Sequence, residues 1–205
     1  MVVSLQNIIS DARKVIDEIA ANESDMVLGS DDSELDAILS LKAVEAVDFV
    51  HRHADVSLMA LDTAKVAAAA SGVCDVSDML RFLIANDVSW AHPVVGLIEE
   101  GSPAHSVALD AYIGASAERP CAVLGVAADG SASKRVVTLL PSGASGFVRF
   151  VPRAVVTGGS ALVDSNLYSQ VINYLAGIAL LSLGDSRAND LIELAYSQLG
   201  ISQKS

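Results

Sequence analysis

The sequence predicts an α+β protein: a helical body of about four main helices carrying an inserted, small antiparallel β-sheet subdomain. Three observations predict it. The first fifty residues and the last forty-five place apolar side chains at three- and four-residue steps. Residues 120–153 instead alternate apolar side chains at a period of two, punctuated by turn residues. The chain between these segments carries neither a low-complexity linker nor a repeat of solenoid length.

In chain order, Leu5, Ile8, Ile9, Ala12, Val15, Ile16 and Ile19 form the apolar stripe of a first helix, with Ser4 as its cap. Residues 22–33 are polar and contain glycine, which predicts a loop. Asp31 and Glu34 then give a capping-box variant for a second helix, with Leu35, Ile38, Leu39, Ala46, Phe49 and Val50 on one face, ending near His53. Residues 54–75 read two ways. The alanines of AKVAAAAS favour helix, whereas Val56–Met59 and Val66 equally suit short strands. Val76–Ser89 predicts a turn and then a strand, closed by Trp90 and Pro93. A short run, Val94–Ile98, precedes Gly101-Ser102-Pro103 and a turn or two of helix near His105–Tyr112.

The β segment follows as three runs: Cys121–Val126, ended by Asp129-Gly130; Arg135–Leu140, ended by Pro141-Ser142-Gly143; and Gly146–Val151, closed by Pro152. A three-stranded meander of this size cannot bury both faces, so it is expected to rest on the helices around it. Ser160 or Asp164 opens a third helix with Leu167, Val171, Tyr174, Leu175, Ile178 and Leu181 inward, stopped at Gly184. Arg187–Leu199 is the last helix, before a frayed ISQKS tail. The expected organisation is an acidic helical part over 1–75, a β-rich insertion over 76–158, and a C-terminal helical pair over 159–205 that packs on the N-terminal helices.

Composition excludes several classes. The 205 residues are 52% hydrophobic with a mean hydropathy of +0.46. Even so, the densest apolar run, Leu175–Leu183, is about half of the roughly 20 residues a bilayer span needs. No membrane segment is expected, and the opening MVVSLQNIISDARK has neither the basic nor the apolar region of a secretion signal. Two cysteines without a CxxC make no disulfide framework and suit a reducing, intracellular setting. The net charge is −12: residues 1–110 hold 6 Lys/Arg against 19 Asp/Glu, and residues 111–205 hold 7 against 6. Without a basic footprint, sequence-specific nucleic-acid binding is not expected. The acidic half either repels DNA, faces a basic partner, or is an ordinary solvated surface.

No catalytic constellation emerges, and neither a cofactor nor a metal is expected. His51 and His53 point to different sides of one helix, with no HExxH or cysteine pair beside them. Cys121 lacks a nucleophile signature, Gly143–Gly146 is not a GxSxG elbow, and Gly158-Gly159 has no phosphate-loop lysine. The acidic run from Asp31 lacks the glycine of a calcium loop. What stands out is Lys134, Arg135, Arg149 and Arg153 around the β runs, with only Asp129 opposing them nearby. Arg135, Arg149 and Arg153 are therefore the candidate interface residues, either meeting an acidic partner or keeping strand edges soluble.

The ordered set of segments resembles the ring, or head-to-tail adaptor, proteins in the neck of short-tailed phages, especially crAss-like phages. The residues that carry the resemblance are Gly29-Ser30, Val76-Ser77-Asp78-Met79-Leu80-Arg81-Phe82, Trp90 with Pro93, Ser102-Pro103, Pro120-Cys121-Ala122-Val123, Arg149-Phe150-Val151-Pro152, and a closing helix pair around Tyr174 and Tyr196. It spans about residues 25–200, and each motif is structural rather than catalytic. Residues 64–72, rich in alanine, and the 4% aromatic content depart from the pattern.

The resemblance implies a non-enzymatic virion protein, assembled in the host cytoplasm, that forms a homo-oligomeric ring, about twelvefold, below the portal. Its partners would be the portal protein, the next ring or tail component and its own copies, with genome DNA passing through the channel. Two other readings compete with it: another neck or tail component, such as a stopper or tail terminator, and a small soluble enzyme whose site the residues do not reveal.

Overall fold

The computed structural model describes residues 1–22, 32–59, 64–129, 132–141, 145–154 and 158–201. The expected capping residue Asp31, the turn glycine Gly130, Ser142-Gly143, Gly29-Ser30 and the last four residues lie outside them. The α+β class holds: five α-helices and small, mostly antiparallel sheets make up the described chain. It divides into a helical unit, Met1–Thr63 with Ala154–Ser205, and a β unit, Ala64–Arg153. The divisions thus fall at 63/64 and 153/154, where the sequence suggested 75/76 and 158/159.

In the helical unit, α1 (Leu5–Asn22) buries Ile8, Ile9, Ala12 and Ile16, and the Ser4 hydroxyl accepts from the Asn7 amide at 3.1 Å, the expected cap. Helix α2 (Asp32–His53) buries Leu35, Leu39, Ala43, Ala46, Val47 and Val50. Arg13 of α1 pairs with Asp36 of α2 at 2.6 Å. Numbered in chain order, the two C-terminal helices are α4 (Tyr168–Ser182) and α5 (Ala188–Gln198), since the short α3 (Pro103–Ala108) precedes them. Helix α4 packs against α1, α2 and α5. That central position explains its composition: Val171, Ile172, Leu175, Ala176, Ala179 and Leu180 are all buried, so its apolar surface is wider than a single stripe. Gly184 (φ +76°) ends the turn after it, as a left-handed residue should.

Two features of this unit were not expected. Val2–Ser4 forms β1, antiparallel to β9 (Ser160–Leu162), with Val2 opposite Leu162. Ser160 therefore belongs to a strand and opens no helix. Asp164 instead caps a short 3₁₀ turn over Ser165–Leu167, accepting from the Asn166 amide at 2.9 Å, and α4 continues from there.

The β unit corrects the three-stranded meander. Strands β6 (Cys121–Asp129) and β7 (Ala132–Leu140) are indeed an antiparallel hairpin, Cys121 opposite Leu140. The third run, β8 (Phe147–Pro152), does not continue that sheet. It lies between β2 (Lys65–Ala68) and β4 (Met79–Asn86) in a second, three-stranded sheet. The hairpin is flanked by β3 (Val73–Asp75) on the β7 side and by β5 (Ile98–Glu99), parallel, on the β6 side. The described residues of 54–75 hold a 3₁₀ turn at Val56–Leu58, then β2 and β3. Ala67 and Ala68 thus enter strand despite their helical propensity, because β8 offers a full ladder from Lys65 opposite Phe150 to Ala68 opposite Phe147.

The two sheets make their own core. Cys74, Val76, Ala122, Val137 and Leu139 from one meet Met79, Ala85, Val148 and Phe150 from the other, with Trp90 alongside. The β strands pack on one another, so the expectation that they draw their core from the helices is not needed. Two register shifts in β4, between Met79 and Arg81 and between Phe82 and Ile84, interrupt its ladder with β8.

Candidate interaction surface

The three arginines have different environments. Arg135, on β7 opposite Val126, is half-buried and its Nη1 donates to the Met79 carbonyl at 2.9 Å. Its guanidinium therefore ties β7 to β4 across the two sheets, an internal role the sequence did not suggest. Arg149 sits in mid-β8 between Val66 of β2 and Ile84 of β4, exposed. Arg153 follows the strand, exposed, its amide donating to the Asp78 carbonyl at 2.8 Å. Truncating Arg135 leaves a carbonyl at the sheet junction without its donor. Arg135→Ala is expected to destabilise the β unit by about 1–3 kcal/mol. Arg149→Ala and Arg153→Ala should each stay within about 0.5 kcal/mol, read by urea titration of Trp90 fluorescence.

The basic surroundings are less one-sided than the sequence implied. The end of β3 and the turn into β4 bring two further carboxylates: Asp78 pairs with Lys65, and Asp75 lies 3.9 Å from Lys134. Asp75 is held below the usual carboxylate range by the hydroxyl and amide of Ser77. Linear proximity pointed to Asp129; strand pairing supplies the nearer partners.

Sequence reading also missed a presented apolar loop. At the end of α3, whose N-terminus is capped by the Ser102 hydroxyl, Val107 is exposed, and so are Leu109, Tyr112 and Ile113 after it, Tyr112 at 94%. The loop is rigidly built. The Asp110 carboxylate accepts from the amides of Tyr112 (2.8 Å) and Ile113 (3.0 Å), and these bonds lower its pKa. A Cβ at Gly114 would come within 2.1 Å of the Asp110 carbonyl oxygen, so only glycine fits there. The legible signal was Asp110 two residues before Tyr112, the start of an Asx turn rather than more helix.

A groove of about 460 Å³ opens where β5 ends, lined by Glu99, Glu100, Gly101, Gly125, Val126 and Arg135. Its floor is the side of β6 that β5 leaves uncovered. The Glu100 carboxylate lies over Gly125 and accepts from the Val126 amide at 3.3 Å. A second groove, about 330 Å³, runs between α3 and the outer face of the hairpin, with Leu109, Val123, Val136 and Leu140 in its walls.

The nucleophile and metal candidates have structural environments. Burial raises the Cys121 thiol pKa and takes that of Cys74 up to about 11, so neither favours the thiolate near neutral pH. His51 is buried, its Nε2 accepting from the Asp164 amide at 3.1 Å, while the Nδ1 of exposed His53 lies 2.8 Å from the Phe49 carbonyl. Among the described residues, no group of three or more His, Cys, Asp or Glu is placed to hold a metal ion. Nor is any helix among them long and apolar enough to cross a membrane. In the helical unit, Phe49 stacks on Tyr174 with ring centroids 4.2 Å apart, and Tyr196 closes the group 6.2 Å from Tyr174. The closing-pair tyrosines of the sequence thus meet through α2.

No protein-family model matches the chain, and no curated protein is significantly similar to it.

Proposed function

We propose that this chain is a structural virion protein, a head-to-tail adaptor ring that joins a phage portal to its tail and surrounds the DNA channel. The observation that carries the reading is the segregation of charge between the two units. The helical unit holds 17 Asp/Glu against 6 Lys/Arg, while the β unit holds 8 against 7. A strongly acidic helical surface lets DNA slide past, because it offers no cations to release the DNA's counterions. The β unit supplies the exposed Arg149 and Arg153, the Tyr112 loop and open strand edges for contacts with neighbours and portal. Its partners are the portal protein, the downstream tail component and further copies of itself. It acts in the virion neck, after assembly in the host cytoplasm.

Negative-stain microscopy with native mass determination tests this, on the protein alone and mixed with the portal protein of the same genome. The expected result is rings stacked coaxially on the portal. A monodisperse monomer or dimer that ignores the portal would overturn the reading.

A further inference from the structure

The side of β6 that faces β5 is covered only at its start. Residues Ile98 and Glu99 pair in parallel with Val123 and Leu124, and the Glu100 amide donates to the Leu124 carbonyl at 2.9 Å. Strand alternation then fixes which later groups face the same side: the amides and carbonyls of Val126 and Ala128. Among the described residues no strand pairs with that stretch. Its first donor is met instead by the Glu100 carboxylate, at the long distance of 3.3 Å. An acidic side chain standing in for a strand is a device that keeps an edge from pairing indiscriminately. The groove beside it is the space an added strand would fill.

We propose that this edge takes a β-strand from a second copy of the chain, and that the strand is β2. The proposal rests on the ring reading above and names the contact that would build the ring. Glu99 and Glu100 line the groove, so the incoming strand should bring a cation. Two edge strands of the β unit do so, β2 with Lys65 and β4 with Arg81. The edge of β4 is already engaged, by the Arg135 guanidinium at Met79 and by a bridge from Ala85 to Val94. Among the described residues no strand engages the outer edge of β2: the Ala69 amide donates to the Gly146 carbonyl, just ahead of β8, so by alternation Val66 and Ala68 present their backbone groups outward. Two outward residues spaced two apart on β2 match two on β6. Val66 (57% exposed) and Val126 (61% exposed) would be covered together. Lys65 would exchange Asp78 for Glu100, which the added strand displaces from Val126. Because donor and acceptor edges differ, the contact is head-to-tail, the kind that closes rings.

Two variants test it. Val126→Pro removes the outward amide without touching the β6–β7 ladder, and an edge strand tolerates proline there. Wild type and variant are compared by native mass determination, with Trp90 fluorescence and circular dichroism as the check on folding. Val126→Pro should weaken self-association by about tenfold or more. Separately, Val66→Cys and Val126→Cys are made in a Cys121→Ser background, mixed as full chains, and treated with a short bis-maleimide. A covalent dimer from the mixture, with none from either protein alone, is expected. Wild-type rings that persist in Val126→Pro, with no mixed dimer, overturn the strand contact and leave the adaptor reading standing. Linkage of position 126 to portal instead of to position 66 overturns the choice of occupant. Absence of any self-association in wild type, with and without portal, overturns both.

Discussion

Phe150→Ala is expected to cost the β unit about 3–5 kcal/mol, the range for emptying a large aromatic site in a core. Phe150 is 2% exposed and lies mid-strand in β8, opposite Lys65 on one side and Phe82 on the other. Its ring therefore projects from the three-stranded sheet into the layer shared with Val137 and Leu139 of the hairpin sheet. The neighbours are held by two ladders and cannot collapse into the space, which places the cost toward the upper end. A domain of this size has a total stability of about 5–10 kcal/mol, so the variant should be partly unfolded near body temperature. The readout is built in. Trp90 is the chain's single tryptophan, 7% exposed within the same cluster, its Nε1 donating to the Pro141 carbonyl at 3.2 Å. Urea titration followed by its emission reports this unit, with exposed Val95→Ala as the control expected to stay within about 0.5 kcal/mol. A midpoint for Phe150→Ala that matches the control would show that the two sheets do not share a core.

The parts of the fold that periodicity controls were legible in the sequence, and the parts that pairing controls were not. The stripes of α1 and α2 and the stop at Gly184 are local facts, set by side-chain spacing and by one left-handed residue. The hairpin β6–β7 is equally local. Its continuation was misread because sequence adjacency suggested that β8 pairs with β7, whereas the partners of β8 come from residues 65–68 and 79–86. AKVAAAAS reads two ways, its alanines favouring helix and Val66 suiting a strand; the ladder offered by β8 decides between them. The same holds for β1 and β9, two three-residue strands more than 150 residues apart.

Of the surface, Arg149 and Arg153 stand in the sequence as cations beside strand runs, and the structure shows both exposed. Arg135 was grouped with them, and its bond to the Met79 carbonyl depends on two sheets meeting, which no one-dimensional pattern encodes. Glu100 was invisible for the same reason. A glutamate before a glycine reads as turn polarity, and its role as a cover for the β6 edge requires knowing that β5 stops at Glu99. The charge asymmetry was seen correctly as a gradient along the chain. The structure sharpens it into a property of the helical unit, because residues 64–110 belong to the β unit.

The helical unit should lose stability as pH falls below about 6.5, and His51 is the reason. Its ring is buried and its Nε2 already accepts the Asp164 amide, so the neutral form is the one the fold uses. Protonation would set a donor against a donor and put a cation out of water. Burial is the largest influence and lowers the pKa from the ordinary 6.5. Asp164 and Asp48 pull it back up, and the N-terminal amino group adds to the lowering. The sign follows from linkage: between the folded and unfolded values, the unfolded chain binds the extra proton, so stability rises with pH. It is fully present above about 6.5 and declines below, at up to about 1.4 kcal/mol per pH unit for one proton. Thermal or urea unfolding followed at 222 nm between pH 5 and 8 measures it. His51→Gln keeps a side-chain acceptor for the Asp164 amide but cannot titrate, so the slope between pH 5 and 6.5 should flatten even if the variant is less stable throughout. A slope unchanged in His51→Gln would show that His51 does not carry the effect. A rise in wild-type stability on acidification would contradict the buried neutral histidine itself.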